Sequence, residues 1–371
     1  MKVECGECGE ADVLSGLQRL SATLHGLDGQ GSAAGWMRAL VDGGLEPLPL
    51  PAGGQTLQRW QALAAVAAHD LSLAKLYEGH TDALAILAEL SQPELASPLS
   101  IWGVWAAEAA GVRVLIEPAT SESTRLGAGQ IRLRGLKRWC SGAAFVSHGL
   151  LTAWHTDGRG PQLVAVAMRQ PGVAVSTEAW QAVGMAGSAS VDVDFNGARA
   201  RLVGRPGQYL SRPGFWQGGA GIAACWHGGA TLLAAALQRA VATGRARSGA
   251  PSLSPPPHAF MEAALGRVDT ELSATAALLR EAARWIDAHP QADASTVALR
   301  LRLRAECAAK TVLDVTGTAL GATPFCRDAR FARRAADLPV FIRQSHGERD
   351  FAALGERVAA DATAATAGWA L

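Results

Sequence analysis

The sequence predicts a mostly α-helical protein with a middle antiparallel β-domain, and three observations carry that prediction. Residues 110–200 form a strand-rich island between two alanine-rich blocks whose apolar spacing is helical. Within the island, Ile131 and Leu133 alternate with Arg132 and Arg134. Val191, Val193 and Phe195 alternate with Asp192 and Asp194 up to the turn pair Asn196-Gly197. Successive side chains leave a strand on opposite sides, so period-two alternation is what a sheet with one buried face requires. The boundaries read 1–110 for an N-terminal helical domain, 111–210 for a barrel- or sandwich-like β-domain, and 211–371 for a C-terminal helical bundle.

Taken in order, helical spacing runs from about Ala11 to Ala110. It is broken at Leu45–Gly54, where three prolines and a glycine pair force a loop. The run in Gln162–Met168 reads as a further strand. Helix returns at Pro213 and continues to about Gly244; its most apolar stretch, Gly218–Leu237, contains Trp226 and His227 and reads as a buried helix rather than a membrane span. Ser248–Pro257 carries three consecutive prolines and must be a connector. Helices then fit Ala259–Ala288 and Ser295–Leu320, separated by His289-Pro290. Ala298–Arg304 alternates like a strand, but the residues after it extend a helical pattern, and the whole segment is assigned to helix.

With 49% hydrophobic and 18% charged residues, the 371-residue chain can bury a sizeable core, and its net charge of +1 gives no reason to expect nucleic acid or an anionic membrane as partner. The N-terminus lacks the apolar core of a signal peptide, which makes a cytoplasmic enzyme the expectation. Cys5 and Cys8 form a lone C-x-x-C without a second pair, so no metal site is expected. Cys140, Cys225, Cys307 and Cys326 read as reduced core residues. From Phe195 to Met261 there is no acid, while Arg199, Arg201, Arg205, Arg212, Arg239, Arg245 and Arg247 fall there. Guanidinium forks pair bidentately with phosphate oxygens, so such a span suits a phosphate-rich ligand; a solvated basic face is the plainer reading.

Four local sequences carry a resemblance. Leu133–Ala143 (LRGLKRWCSGA) resembles the strand, Gly-x-Lys, Trp-x-Ser/Thr pattern of the acyl-CoA dehydrogenase-like flavoproteins. Ile116-Glu117-Pro118 resembles that family's Thr-Glu-Pro, Val183–Val191 its Gly-Met-x-Gly-Ser segment, and Leu320–Asp328 its Leu-Gly-Gly … Arg-Asp run. The resemblance implies an FAD cofactor, with FMN as the alternative. It places Trp139 over the flavin ring and the Ser141 hydroxyl near the reactive nitrogen, with Glu117, Arg247 and Gly321 as further cofactor contacts. It also implies a homodimer or homotetramer, as does an apolar run longer than one small bundle can cover. The departures are Ile116 where the family has a hydroxyl, Thr120–Thr124 in place of Gly-Ser/Thr-Asp, and Arg247-Ser248-Gly249 in place of Arg-x-x-Phe-Gly.

The chemistry so implied is α,β-dehydrogenation of an acyl thioester, with Arg212 or its neighbours meeting substrate phosphate and an electron-transfer partner or reductase taking part. A carboxylate must take the α-proton at the substrate. Asp337 is the nearest carboxylate to the family's late position, one register position away; alternatively it only caps the helix that follows, with Pro339 in its first turn. The rival reading is a flavin-dependent monooxygenase on the same fold, with His346 as its histidine, four residues from Asp350 on a helix. A third is a non-catalytic relative with a degenerate flavin site. His80 and His227 read as satisfied core histidines.

Overall fold

The computed structural model describes residues 10–27, 31–117, 129–178, 180–247, 258–360 and 369, without the side chains of 10–15, 245–247 and 258. Cys5, Cys8, Pro118, Thr120–Thr124, the connector at 248–257 and the side chain of Arg247 lie outside the described residues.

Four helices open the chain: α1 (Glu10–Gly26), α2 (Ala33–Asp42), α3 (Thr56–His69) and α4 (Leu71–Glu89). The Ser32 hydroxyl caps α2 by accepting the Gly35 N–H, and Asp70 caps α4 by accepting the Leu73 N–H at 2.8 Å. Such caps satisfy amides that have no partner inside the helix. The loop between α2 and α3 falls where the three prolines predict it. α4 is buried along nearly its whole length, because it lies between the sheet on one side and C-terminal helices on the other.

The sheet contains β1 (Trp102–Trp105), β2 (Val114–Ile116), β3 (Gln130–Cys140), β4 (His148–His155), β5 (Pro161–Ala167), β6 (Val173–Val175) and β7 (Val191–Val203). Its pairings close on themselves. β3 pairs with β7, β7 with β5, and β5 with β4, all antiparallel. The free edge of β4 is shared end to end by β1 and β2, and β2 returns to β3. The result is a barrel in which β3, β4 and β7 each have strand partners on both sides.

Two sequence expectations change. β1 lies upstream of the boundary drawn at residue 110, and both β1 and β2 run parallel to β4 in an otherwise antiparallel sheet. Asn196-Gly197 is not a turn: β7 runs through it, with Arg134 opposite Asn196 and Leu133 opposite Ala198. Gly197 is the extra residue of a β-bulge, at φ 74°, a conformation glycine adopts without steric cost.

The C-terminal part consists of α5 (Gln208–Ser211), α6 (Gly214–Gly219), α7 (Ile222–Arg247), α8 (His258–Ala288), α9 (Ser295–Leu320), α10 (Ala322–Arg327), α11 (Ala329–Phe341) and α12 (Glu348–Ala360). α7 is the central rod, packed on α3, α8 and α9. The stretch Gly214–Gly244 is long and apolar enough to cross a membrane, but 72% of its most apolar window is buried against neighbouring helices. Residues 298–304 are helical; Leu299, Leu301 and Leu303 are all buried because neighbours surround α9 on several sides. Cys140 and Cys225 are core residues as expected, whereas Cys307 is half-buried and Cys326 exposed.

Candidate functional site

The site begins at the end of β3. Between Lys137 and Cys140 the register against β7 shifts, so β3 carries an extra residue there. Trp139 takes up the irregularity with a φ of 59°, a left-handed conformation that costs a bulky residue about 1 kcal/mol. The consequence is directional. Lys137 and Cys140 are buried, while the Trp139 indole stands 52% exposed.

Ser141 follows, 8% exposed, with its hydroxyl 3.0 Å from that of Ser190. Ser190 Oγ lies 3.1 Å from Ser188 Oγ, and Ser188 donates to the Met185 carbonyl at 2.8 Å. The Met185 N–H donates to Asp337 Oδ1 at 2.5 Å. A continuous run of polar contacts thus joins the barrel to α11. The loop that carries it is tightly seated: Met185 and Ala189 both have positive φ, and a Cβ on Gly184 would collide with the Ala336 carbonyl. Gly187 rests on Ser72 of α4, so this loop touches all three parts of the protein.

Asp337 is 3% exposed and lies inside α11, not at a helix start. The N-cap of α11 is Asp328, which accepts the N–H groups of Arg330 and Phe331, and Pro339 sits within the helix. The capping reading of Asp337 is therefore replaced. Its Oδ2 makes no hydrogen bond among the described residues. Burial pushes its carboxyl up to about 6, offset in part by the Met185 N–H and reinforced by the nearby Asp70 carboxylate.

His346 is elsewhere. It precedes α12, so the helix expected to hold both partners contains only Asp350. Asp350 accepts from the His346 backbone N–H at 3.2 Å and lies 3.2 Å from its Nδ1, while the imidazole stays 60% exposed. No described hydrogen bond links it to Trp139 or Ser141.

The remaining expected residues separate. Arg212 is ion-paired with Glu89 and packs over the Tyr209 ring at 5.1 Å, with its side chain 8% exposed. Its charge is paired within the fold, so any phosphate contact there would be made by an arginine already neutralised by Glu89. It does line a cavity of about 570 Å³. Glu117 pairs with Arg134 at 2.8 Å, level with Arg132 on β3, roughly 20 Å along the strand from Trp139. Gly321 ends α9 at φ 64° and is not brought to Trp139 by any described contact.

Several groups had no clear signal in the sequence. Lys75 and Glu78 form a 2.8 Å pair on α4, and burial raises the Glu78 pKa against the pull of Lys75. Lys75, Gly79, Val104 and Ser141 border a cavity of about 10 Å³, room for one water. Inside the barrel Lys137 donates to Glu108 at 2.9 Å and to the Thr152 hydroxyl at 2.8 Å. The Gly-x-Lys pattern marks Lys137; nothing marks Glu108. His80 accepts the Trp102 N–H on Nδ1 at 3.2 Å, but its Nε2 is buried without a partner, as is Nδ1 of His227. His80 is buried and His227 half-buried, and neither is fully satisfied; burial pushes His80 down to about 4, leaving it neutral.

A half-exposed indole two residues from a hydroxyl, at the end of a barrel strand, can supply the flat wall and the donor that a flavin ring requires. Comparison with solved structures decides the architecture. A glutaryl-CoA dehydrogenase from Mycobacterium smegmatis superposes with a TM-score of 0.75 at 18% identity, over 95% of this chain and 96% of that one. The chain has the acyl-CoA dehydrogenase fold. An acyl-CoA dehydrogenase from Geobacillus kaustophilus matches with a TM-score of 0.74 at 14% identity, over 95% and 99% of the two chains. The dibenzothiophene monooxygenase TdsC from Paenibacillus sp. A11-2 matches with 0.73 at 19% identity, over 92% and 96%. No family model matches the sequence, and no curated protein matches it. The fold thus hosts both dehydrogenases and a monooxygenase.

Proposed function

We propose that the protein is a flavin-dependent oxidoreductase whose flavin ring, from FAD or FMN, lies against Trp139 and Ser141, with Asp337 as proton acceptor. The observation that carries this reading is the half-exposed Trp139, held in a strained backbone conformation beside a hydroxyl that is linked by serines and Met185 to a desolvated carboxylate. TdsC, on the same fold, has been crystallised with FMN and indole. When bound, a flavin supplies the two-electron acceptor.

The chain's own residues do the rest. Trp139 gives the ring an apolar wall, and the Ser141 hydroxyl supplies a hydrogen bond at its edge. The Met185 N–H fixes Oδ1 of Asp337 and leaves Oδ2 as the oxygen that takes a proton. A carboxyl near 6 is ionised at neutral pH yet basic enough to accept a proton next to a carbonyl. An acyl thioester, with its acidified α-proton, is the substrate class that fits this base. The test is anaerobic mixing of flavin-loaded protein with butyryl-CoA and octanoyl-CoA. Bleaching of the flavin supports the reading; an unchanged spectrum with both contradicts it.

One observation favours a second reading. The His346 imidazole is exposed and oriented by Asp350 through Nδ1, which suits an acid–base role in a monooxygenase supplied with reduced flavin by a reductase. That reading predicts oxygen-dependent turnover and no bleaching by any acyl thioester.

A further inference from the structure

A second cavity lies not at Trp139 but farther along α4. It measures about 570 Å³ and lies between the loop at Leu50–Ala52, the second half of α4, the segment from Arg205 to Gly218, and Pro290-Gln291. That volume is in the range of small-molecule sites. Ser141 and Leu76 of α4 border the same small cavity, whereas the larger one begins at Asp82 and ends at Leu90, so its centre is on the order of 10–15 Å along the helix axis from Leu76.

Its charges are unequal once their partners are assigned. Asp82 is held by the buried Arg59 at 2.8 Å. Glu89 is held twice, by Arg212 and by the Gly214 N–H at 2.9 Å. Arg205 is exposed at the rim, and no described ion pair or hydrogen bond engages its guanidinium. One uncompensated positive charge therefore remains on the lining. On the same lining, Arg212 keeps a buried Nε with no hydrogen-bond partner among the described residues. The rest of the wall is mixed: Leu50, Pro51, Ile86 and Leu90 give it an apolar side, and Gln208, Ser211, Gln217 and Gln291 add neutral polar groups.

We infer that this cavity binds an amphipathic anion: a single carboxylate or phosphate head held by Arg205, on an apolar body lying against Ile86 and Leu50. Arg212 shapes the site as a positioning residue, its own charge neutralised by Glu89. The inference goes beyond the proposed redox chemistry and stands without it, because the lining includes neither Trp139 nor Asp337.

The test is calorimetric titration of flavin-free protein with octanoate and octyl phosphate, with 1-octanol and inorganic phosphate as controls. Octanoate or octyl phosphate binds at least tenfold tighter than octanol, and whichever wins identifies the head group. Arg205→Gln removes that advantage while octanol binding stays unchanged. Ile86→Trp, or the milder Ala85→Leu should the first not fold, fills the cavity and weakens both. Flavin titrated into the same samples reports separately on the Trp139 site, so failure of one account is distinguishable from failure of the other. Equal binding of octanoate, octyl phosphate and octanol, unchanged binding in Arg205→Gln, or inorganic phosphate binding as tightly as the octyl anions would each overturn the inference.

Discussion

The Asp337 carboxylate accepts the Met185 backbone N–H at 2.5 Å, joining α11 to the loop before β7 across 152 positions of sequence. This contact lets the C-terminal bundle set the position of the serine run that ends at Ser141. Oδ1 holds the loop, whereas Oδ2 makes no hydrogen bond among the described residues and is the oxygen proposed above as the proton acceptor.

The loop's seat on α11 depends on Gly184, where a Cβ would overlap the Ala336 carbonyl. Backbone on both sides leaves little room to relax. Gly184→Ala is expected to lower stability by about 2 kcal/mol and to weaken flavin binding, through displacement of Met185 from Asp337. Chemical denaturation and flavin titration of the variant check both effects. Wild-type values in both would show that the loop does not need this close approach.

Asp337 makes stability depend on pH in a defined direction. Its folded pKa of about 6 stands above the ordinary 3.8, so the folded state binds the proton more tightly than the unfolded chain does. The contribution is complete below the unfolded value and is lost as pH rises through about 6, a change on the order of 3 kcal/mol. Asp337→Asn removes this dependence while an amide oxygen can still accept the Met185 N–H. Melting temperatures across the range should show the variant gaining on wild type as pH rises to about 7, and flavin reduction by a thioester should fall by about 10²-fold or more. Parallel melting curves with unchanged reduction would reduce Asp337 to an ordinary structural residue.

The overall architecture was legible because its long segments are strongly periodic. The helix of residues 295–320 and the strands β3, β5 and β7 follow apolar spacing that a few exceptions cannot mask. β1 was missed because four residues, WGVW, are too short to show alternation and are buried on both faces. Asn196-Gly197 was misread because a turn and a bulge both call for a glycine with positive φ, and only the partner strand tells them apart. Trp139 and Ser141 were found by motif, but the exposure of the indole comes from a register shift against β7 that no local sequence announces. The ion pair of Arg212 could not be read from the sequence, because its partner, Glu89, lies 123 positions away.

That pair yields a further expectation. Arg212→Ala leaves the Glu89 carboxylate with only the Gly214 N–H, and also removes the guanidinium from the Tyr209 ring. Because Glu89 keeps partial solvent contact, the loss is expected near 2 kcal/mol rather than that of a deeply buried orphan charge. The double variant Arg212→Ala with Glu89→Gln should recover part of it. Denaturation of the singles and the double measures the coupling, and strictly additive losses would contradict the pairing.

Assembly offers an independent check. Phe260, near the start of α8, is 75% exposed, an aromatic ring facing outward from the longest helix of the bundle. Burial of α8 against a second copy is expected to give a homodimer or homotetramer. Light scattering should report a multiple of the 38.5 kDa chain, and Phe260→Glu should shift it toward monomer. A monomeric wild type at micromolar concentration would contradict this.

The most direct measurement of the central claim is flavin binding by wild type, Trp139→Phe and Trp139→Gly, followed by absorbance and quenching of flavin fluorescence with FAD and with FMN. Trp139 is half-exposed and strained, so glycine at this position should not lower the melting temperature, and removing the indole separates binding from folding. The account predicts that wild type binds at least one of the two flavins, that phenylalanine retains most of the affinity, and that glycine loses at least about tenfold, in line with an aromatic contact worth on the order of 1–2 kcal/mol. A wild type that binds neither flavin, or a glycine variant that binds as tightly as wild type, would contradict it.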